Sequence, residues 1–517
     1  MGPAGIDLER ATIPELQRAM DSRRLSSQEL TRFHLRRARR LDPKLHAFIQ
    51  VNPAPLAEAE RSDRVRGSGG ARGPLEGIPV LLKDNIGTAD EPTTAGSLAL
   101  TRARSPDAFL VDRLRRAGAV IIGKANLSEW ANFRSTQSSS GWSAVGGQTN
   151  NPYALDRNPC GSSSGPAVGV AAGLATVGIG TETDGSIVCP ASTNGIVGLK
   201  PTVGLLSRTG IVPISHEQDT AGPMARNVTD TAILLDVLQG IDPVDAVTEQ
   251  SRGHDDYARF LDESALCGAR LGVWRQKGAS EEADGIVDRA VAELERVGAT
   301  LVPVEIPNPV EIGANEYAAL LHEFKHDLDV YLADLPGRPP RSLEELIAFN
   351  REHARREMPH FGQEIFEQAQ ATSGGLSDPE YVKARRTATS LARKAIDQTL
   401  GKHALDAIVS PTGSPAWLTD LVNGDHFVVG SSTPPAVAGY PNITVPAGFA
   451  FGLPVGISFI GPRWGEPELI RLAYAFEQAT HARKAPRFRP TARRTGAPAG
   501  ARDLAVDYAR PPWARHR

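Results

Sequence analysis

With 517 residues, 40% of them hydrophobic and 23% charged, and a formal net charge of -3, the chain has the make-up of an ordinary globular enzyme with a large core. That balance leaves no basic footprint for nucleic acid or an anionic membrane, and no 18-residue apolar run offers a membrane-spanning helix. Three cysteines, Cys160, Cys189 and Cys267, are too few and too unevenly spread for a disulfide framework or a zinc module; with no apolar signal segment in the first residues, a reducing, cytoplasmic location is expected.

Residues 12–15, TIPE, and 26–29, SSQE, each match the reciprocal capping box of a helix start, and Pro14 suits a first turn. Two helices follow. The second is predicted to end near Asp42 and Pro43, because the residue before a proline is pushed out of the helical region. Residues 52–74 read as a polar, Gly-rich connection holding an Ala/Glu/Arg helix.

Next comes GIPVLLKDN at 77–85, an apolar strand that ends in Lys83 and two turn-formers. A lone lysine is ordinarily a solvated surface charge. At the end of an apolar run, burial lowers its pKa and lets it act as a base near neutral pH. Residues 110–117 have helical periodicity and 120–123 form a second buried strand, the alternation of an open α/β sheet. Lys124 and Asn126 end that strand, and 127–133 predict a short helix. Residues 135–165 have the composition of a linker, rich in Ser, Gly, Asn and Pro. A flexible linker is out of place between a strand and an apolar helix of one core, so a folded active-site loop is expected.

The chain is organised around residues 167–199, where an apolar helix (167–174) leads into a strand (175–179) and then a polar turn, GTETDGS, at 180–186. Gly180 and Gly185 permit a sharp fold in which several N–H groups converge, and Ser186 sits where a nucleophile would face them. A Walker phosphate loop would need a lysine after Gly185, and none follows. Residues 161–165 formally satisfy G-x-S-x-G with Ser163 as nucleophile. That elbow needs a strand directly before it and an acid and then a histidine downstream; 156–160 make a poor strand and no histidine is marked by its surroundings.

Beyond residue 199, segments 200–204 and 215–226 read as loops, 230–238 as a helix, 270–274 as a strand, 286–297 as an amphipathic helix and 300–304 as a strand. From 310 to about 403 helix-forming residues dominate, predicting a helical lobe inserted between sheet elements. Strands return at 407–410, 442–445 and 455–460, and a helix at 466–480 closes the fold. The tail 487–517, rich in Arg, Pro and Ala, is expected to be disordered. Within the lobe, His322, Glu323 and His326 match H-E-x-x-H, which sets two imidazoles on one helix face beside a general base. A zinc peptidase is therefore an alternative, although nothing in the sequence singles out a third ligand.

Taken together, Lys83, the Gly-Ser run at 161–165 and the turn TETDGSIVCPA resemble the amidase signature family, and the spacing of Lys83, Ser162 and Ser186 is the specific part. The resemblance runs from the first helices to Gln478 and is nearest to bacterial peptide amidases, through GLKPTVGLLSRTGIVPISHEQDTAGPMAR, SLEELIAFN in the lobe and AVAGYPNITVPAG near the end. Asp184 and Val188 stand where most of the family has Gly and Arg, a variant that peptide-amidase-like members share; Pro166 replaces a usual Ser or Gly.

The resemblance implies a three-layer α/β/α fold with a central mixed sheet, and one catalytic domain over 1–486 with the lobe as its substrate region. It implies hydrolysis of a carboxamide to acid and ammonia, with Ser186 as nucleophile, Ser162 as relay after a cis Gly161–Ser162 bond, and Lys83 as base. An oxyanion hole would come from Thr183, Asp184, Gly185 and Ser186. No metal or organic cofactor is implied. The expected partner is a peptide amide or amino-acid amide, with oligomeric state open, and Trp130, Phe133, Tyr317 and Phe324 are candidate pocket residues. A general aryl or aliphatic amidase of the same family and a non-catalytic amide-binding protein are the other readings; a glutamine-amidase subunit of a transamidating complex fits the lobe poorly.

Overall fold

The computed structural model describes residues 5–492. In chain order its strands are β1 (Phe48–Val51), β2 (Pro79–Lys83), β3 (Val120–Ala125), β4 (Trp142–Ser143), β5 (Gly147–Gln148), β6 (Val177–Glu182), β7 (Val197–Lys200), β8 (Thr220–Ala225), β9 (Arg270–Trp274), β10 (Thr300–Val304), β11 (Ala407–Pro411), β12 (Asn442–Ala450) and β13 (Leu453–Ile460). Among the described residues, eleven of them form one sheet in the order β1-β3-β2-β6-β8-β7-β12-β13-β11-β9-β10, while β4 and β5 pair separately. Pairing is parallel for β3–β2, β2–β6, β11–β9 and β9–β10 and antiparallel elsewhere. This is the mixed α/β sheet that the family resemblance implies.

Burial on both faces explains the unbroken apolar strands. Every residue of β2 is buried. Its Val80 and Leu82 pack with Leu16, Leu114 and Leu235 of three helices on one face, and its Leu81 packs with Val168 on the other. Alternate residues of one short strand thus hold two helical layers, as the two-residue repeat of a strand requires.

Both predicted capping boxes close: Thr12 with Glu15 starts helix Ile13–Asp21, and Ser26 with Glu29 starts helix Ser27–Leu45. The second helix does not stop at Asp42; it carries Pro43 within its last turn. The Asp42 carbonyl accepts the His46 N–H at 2.8 Å and its carboxylate accepts the Ala47 N–H at 2.7 Å, so the groups around the proline find partners. A larger correction concerns segment 215–226. Its second half, TAGPMA, is no loop but β8, paired between β6 and β7. Gly222 lies so close to β7 that a Cβ there would stand 2.2 Å from the Leu199 carbonyl oxygen, so close packing rather than strand propensity makes this element.

The expected helix at 127–133 is reduced to a short turn, Glu129–Asn132, in which Trp130, Ala131 and Asn132 all take left-handed backbone angles. Three such residues oppose the turn by about 1–2 kcal/mol each. They are offset by burial of Trp130 and by its N–H bond to the Ala95 carbonyl at 2.9 Å. The segment 135–165, expected to be a folded loop, is ordered by side-chain amides: Asn126, just before it, and Asn158, within it, donate to its carbonyls.

The lobe between β10 and β11 consists of helices Pro309–Asp334, Leu343–Glu352, Ala354–Glu357, Glu364–Ala371 and Pro379–His403. Its last helix packs Ala388, Ala392 and Ile396 on Ile408 and Ile460 of the sheet. Its first helix reaches the far half of the chain, where Leu320 and Phe324 join Trp130 and Phe133. Near the end of the described chain, Phe488 and Arg489 bond to the backbone of 152–155; most of the tail expected to be disordered lies outside the described residues. Among the described residues no helix is long and apolar enough to cross a membrane.

Candidate active site

Parallel pairing sets Leu82 of β2 beside Ile179 of β6, so Lys83, the last residue of β2, lies near Thr181, the residue before Glu182 ends β6. Loop 159–163 docks on this end. The Ser163 N–H donates to the Ser186 carbonyl at 3.1 Å, and Ser163 Oγ bonds to the Thr181 backbone on both sides, giving to its carbonyl at 3.1 Å and receiving its N–H at 3.2 Å. Ser163 is therefore a buried strut rather than an exposed elbow nucleophile. The Gly161–Ser162 peptide is cis. A Cβ at Gly161 would stand 2.1 Å from Ser128 Oγ, so any larger residue before the cis bond would force Ser128 to move.

Lys83 is wholly buried. Its Nζ donates to Ser162 Oγ at 2.7 Å, to Thr181 Oγ1 at 2.9 Å and to the Thr181 carbonyl at 3.1 Å. Burial pulls its pKa from 10.5 to about 7, against the opposing pull of Asp219 and Glu182. Asp219 is itself pushed up to about 6 by burial and accepts from Thr183 Oγ1 at 2.5 Å and from the Ile214 and Ser215 N–H groups. Asn85 donates its amide to Thr181 Oγ1 at 2.9 Å. A neutral amine has two hydrogens and one lone pair. With the hydrogens on the two Thr181 oxygens, the lone pair faces Ser162, and the 2.7 Å bond can run from hydroxyl to amine.

Around Ser186 the turn is held from below. Glu182 Oε2 accepts the Ile187 and Val188 N–H groups at 2.7 and 3.0 Å, capping helix Val188–Thr193. Gly185 has φ +75°, and a Cβ there would meet Ser432 Oγ at 2.9 Å, while Thr433 Oγ1 donates to Asp184 at 2.6 Å. The 431–433 loop thus lies against the turn. Among the described residues, none of the N–H groups of Thr183, Asp184, Gly185 and Ser186 has a protein acceptor. Four free donors in succession beside a serine that is 8% exposed form an arrangement that can bind an oxyanion.

The lobe reaches the turn through Gln218, whose amide donates to the Thr183 carbonyl at 2.9 Å and to Glu316 Oε1 at 2.5 Å. Burial raises Glu316 well above the usual carboxyl range. Gln218 also accepts from Arg385 at 3.0 Å, and Arg385 holds Glu323 through two bonds at 2.7 and 2.5 Å. That pairing answers the zinc alternative. Glu323 is bound to Arg385 and to Ser215 Oγ, His322 lies against the Tyr381 ring, and His326 Nδ1 is 2.8 Å from Asp327. Among the described residues no three His, Cys, Asp or Glu side chains converge as a metal set.

The four aromatic pocket candidates gather in one place. Phe133 lies 5.1 Å from Phe324 and 6.3 Å from Tyr317, and Trp130 lies 5.9 Å from Phe366, which itself packs on Phe324. Trp130 and Phe324 are enclosed in this seam between lobe and sheet loops, whereas Tyr317 is part-exposed and donates to Gln368 at 2.8 Å. A cavity of about 490 Å³, lined by none of these four aromatic side chains, is bounded by Asn85, Thr181, Thr183 and Asp219 on the sheet side and by Tyr331 of the lobe. It touches Thr181, the partner of Lys83.

One expectation is overturned. Cys160 and Cys189 form a disulfide, leaving Cys267 as the free, exposed thiol. Cysteine count could not reveal it, because the pairing depends on two loops that only the fold brings together. With that bridge, the inference from cysteine number to a reducing compartment loses its premise. Thr181, Asn85 and Asp219 are neighbours of Lys83 that no local pattern marks, although Thr181 and Asn85 stand within the motifs that carry Ser186 and Lys83.

The family model for Amidase matches residues 29–470, and the chain belongs to that family. Among solved structures it is similar to the native peptide amidase from Stenotrophomonas maltophilia, at 51% identity and a TM-score of 0.89 over 93% of this chain and 99% of that one. The peptide amidase PAM in complex with the competitive inhibitor chymostatin matches at 51% identity and a TM-score of 0.90, over 92% and 99% of the two chains. The "Probable amidase" of Arabidopsis thaliana is 45% identical over 93% of this chain and 92% of its own. The protein is an amidase.

Proposed function

We propose that Ser186, Ser162 and Lys83 hydrolyse a primary carboxamide, and that the substrate is the C-terminal amide of a peptide or of an amino acid. The observation that carries this reading is the 2.7 Å contact between a lysine titrating near neutrality and the hydroxyl of Ser162. An unassisted serine hydroxyl is too weak a nucleophile for an amide. In the proposed sequence, neutral Lys83 takes the Ser162 proton as Ser162 takes that of Ser186, whose Oγ bonds to the substrate carbonyl carbon. The N–H groups of residues 183–186 receive the oxyanion, each worth roughly 3 kcal/mol in the transition state.

As the C–N bond breaks, Ser162 protonates the departing nitrogen, recovers a proton from Lys83, and ammonia leaves. Water then adds to the acyl-enzyme with its proton passed along the same two groups, and the carboxylic acid is released. Peptide amides are preferred over simple amides because the likeness to peptide amidases extends through the lobe, and the lobe is joined to the nucleophile turn by Gln218. In this reading residues 1–486 act as one catalytic unit.

The test is ammonia release from amidated dipeptides and from simple aromatic amides, for the parent and for Ser186→Ala, with and without chelator. Turnover of the dipeptides, none with Ser186→Ala and no effect of chelator is the expected result. Turnover of aromatic amides alone would reject the substrate assignment, and full activity in Ser186→Ala would reject the mechanism.

A further inference from the structure

The disulfide joins the two loops that carry the serines. Cys160 stands two residues before Ser162 and Cys189 three residues after Ser186, and the bridge spans 29 residues of chain. Each end is held by a hydrogen bond to a residue close to its serine. Ser164 Oγ donates to the Cys160 carbonyl at 2.6 Å, so Cys160 and the helix that begins at Ser164 hold the cis Gly161–Ser162 unit between them. The Cys189 N–H donates to the Gly185 carbonyl at 2.8 Å, in the turn that ends at Ser186.

Three hydrogen bonds tie the same segments: the Ser163 N–H donates to the Ser186 carbonyl, and Thr193 Oγ1 and the Asn194 amide donate to the Pro159 carbonyl at 2.7 and 2.8 Å. All of them depend on the chain around Cys160, where the residue takes φ +56°, a left-handed angle that a non-glycine residue adopts at a penalty of about 1–2 kcal/mol. Trp417 packs with both cysteines, which are 5% and 6% exposed. A bridge at this place differs from a general stabiliser of the fold, since it joins the two loops that carry Ser162 and Ser186.

Resting on the Ser186–Ser162–Lys83 reading, we infer that the Cys160–Cys189 disulfide is a positioning device for the reaction, setting Ser186 against Ser162, and that amide hydrolysis is consequently sensitive to thiols. Reduction by a dithiol transfers two electrons and two protons to the bridge, giving two cysteine thiols and the cyclic disulfide of the reagent. The loops then keep only their hydrogen bonds, and a nucleophile displaced by an ångström can lose about 100-fold in rate. Because the bridge holds reacting groups rather than the 431–433 wall or the lobe, the loss falls on kcat and leaves KM alone.

The experiment compares the oxidised parent with Cys160→Ser/Cys189→Ser, in which both sulfurs are removed together. Thiol titration of the denatured parent comes first: one free thiol is expected, and three would overturn the proposal. Steady-state kinetics on an amidated dipeptide follow, well below the melting temperature of each protein. We expect kcat to fall at least about tenfold with KM within about twofold. An unchanged kcat with only a lower melting temperature would reduce the bridge to a structural brace and overturn the inference.

Should the double variant fail to fold, the parent is treated with dithiothreitol and then reoxidised. Loss of kcat that returns with the bridge supports the inference, and full activity with three free thiols refutes it. Activity of the oxidised parent, abolished by Ser186→Ala, tests the underlying mechanism separately, so the two readings can fail independently.

Discussion

Replacing Lys83 by Met removes the amine and keeps the length and apolar stem of the side chain, and it separates two quantities that the buried lysine controls. The first is catalytic. If neutral Lys83 is the base, the parent's kcat/KM rises with pH through about 7, where the amine loses its proton. Met should lower kcat by about 10²- to 10⁴-fold, the range for a positioned general base, and the limb near pH 7 should disappear.

The second quantity is stability. The native pKa of about 7 lies below the ordinary 10.5. Between those values the unfolded chain holds a proton that the native protein does not. Parent stability therefore falls as pH drops from 10.5 toward 7 and levels off below, by roughly 5 kcal/mol in all at 1.36 kcal/mol per unit. The stability of Lys83→Met minus that of the parent should move by that order in the variant's favour over this window. Denaturant melts at pH 6, 8 and 10 measure it alongside kcat/KM profiles. A limb that survives at pH 7 in the variant, or a stability difference flat with pH, would refute the argument that this lysine is held neutral by burial.

Arg385→Met should leave Glu323 buried without its bidentate partner and cost roughly 3–5 kcal/mol, seen as a lower denaturation midpoint; a loss under about 1 kcal/mol would show that the pair contributes little to holding the lobe. His322→Ala should leave kcat and KM within a few-fold of the parent and should bind no metal, as measured by activity and by metal analysis; stoichiometric zinc in the parent together with an inert variant would revive the H-E-x-x-H reading.

What the sequence made legible was whatever chemistry writes locally. Thr12 with Glu15 and Ser26 with Glu29 are four-residue statements about helix starts, and both close as read. Lys83 at the end of PVLLK is another local statement, since an apolar run covered on both faces buries whatever ends it. The misreadings share a cause. In β8, TAGPMA has no β-branched residue besides its first threonine, and it is a strand because β6 and β7 lie on either side of it. Trp130 and Ala131 turn left-handed because the lobe, distant in sequence, takes up the indole. Cys160 and Cys189 meet because their loops meet. Each depends on a partner that no local window contains, and the same holds for Asp219, which senses Lys83 only across the end of the sheet.

The seam between Trp130, Phe133 and Phe324 has a practical side. The lobe enters and leaves the chain at the far edge of the sheet, between β10 and β11, yet half of its aromatic footing stands on the loop after β3. A chimera that transplants residues 310–403 from a relative, in order to alter substrate choice, would therefore carry only one side of this joint. Such grafts should exchange the segment around 130–133 as well, so that donor aromatics meet the surface they evolved against.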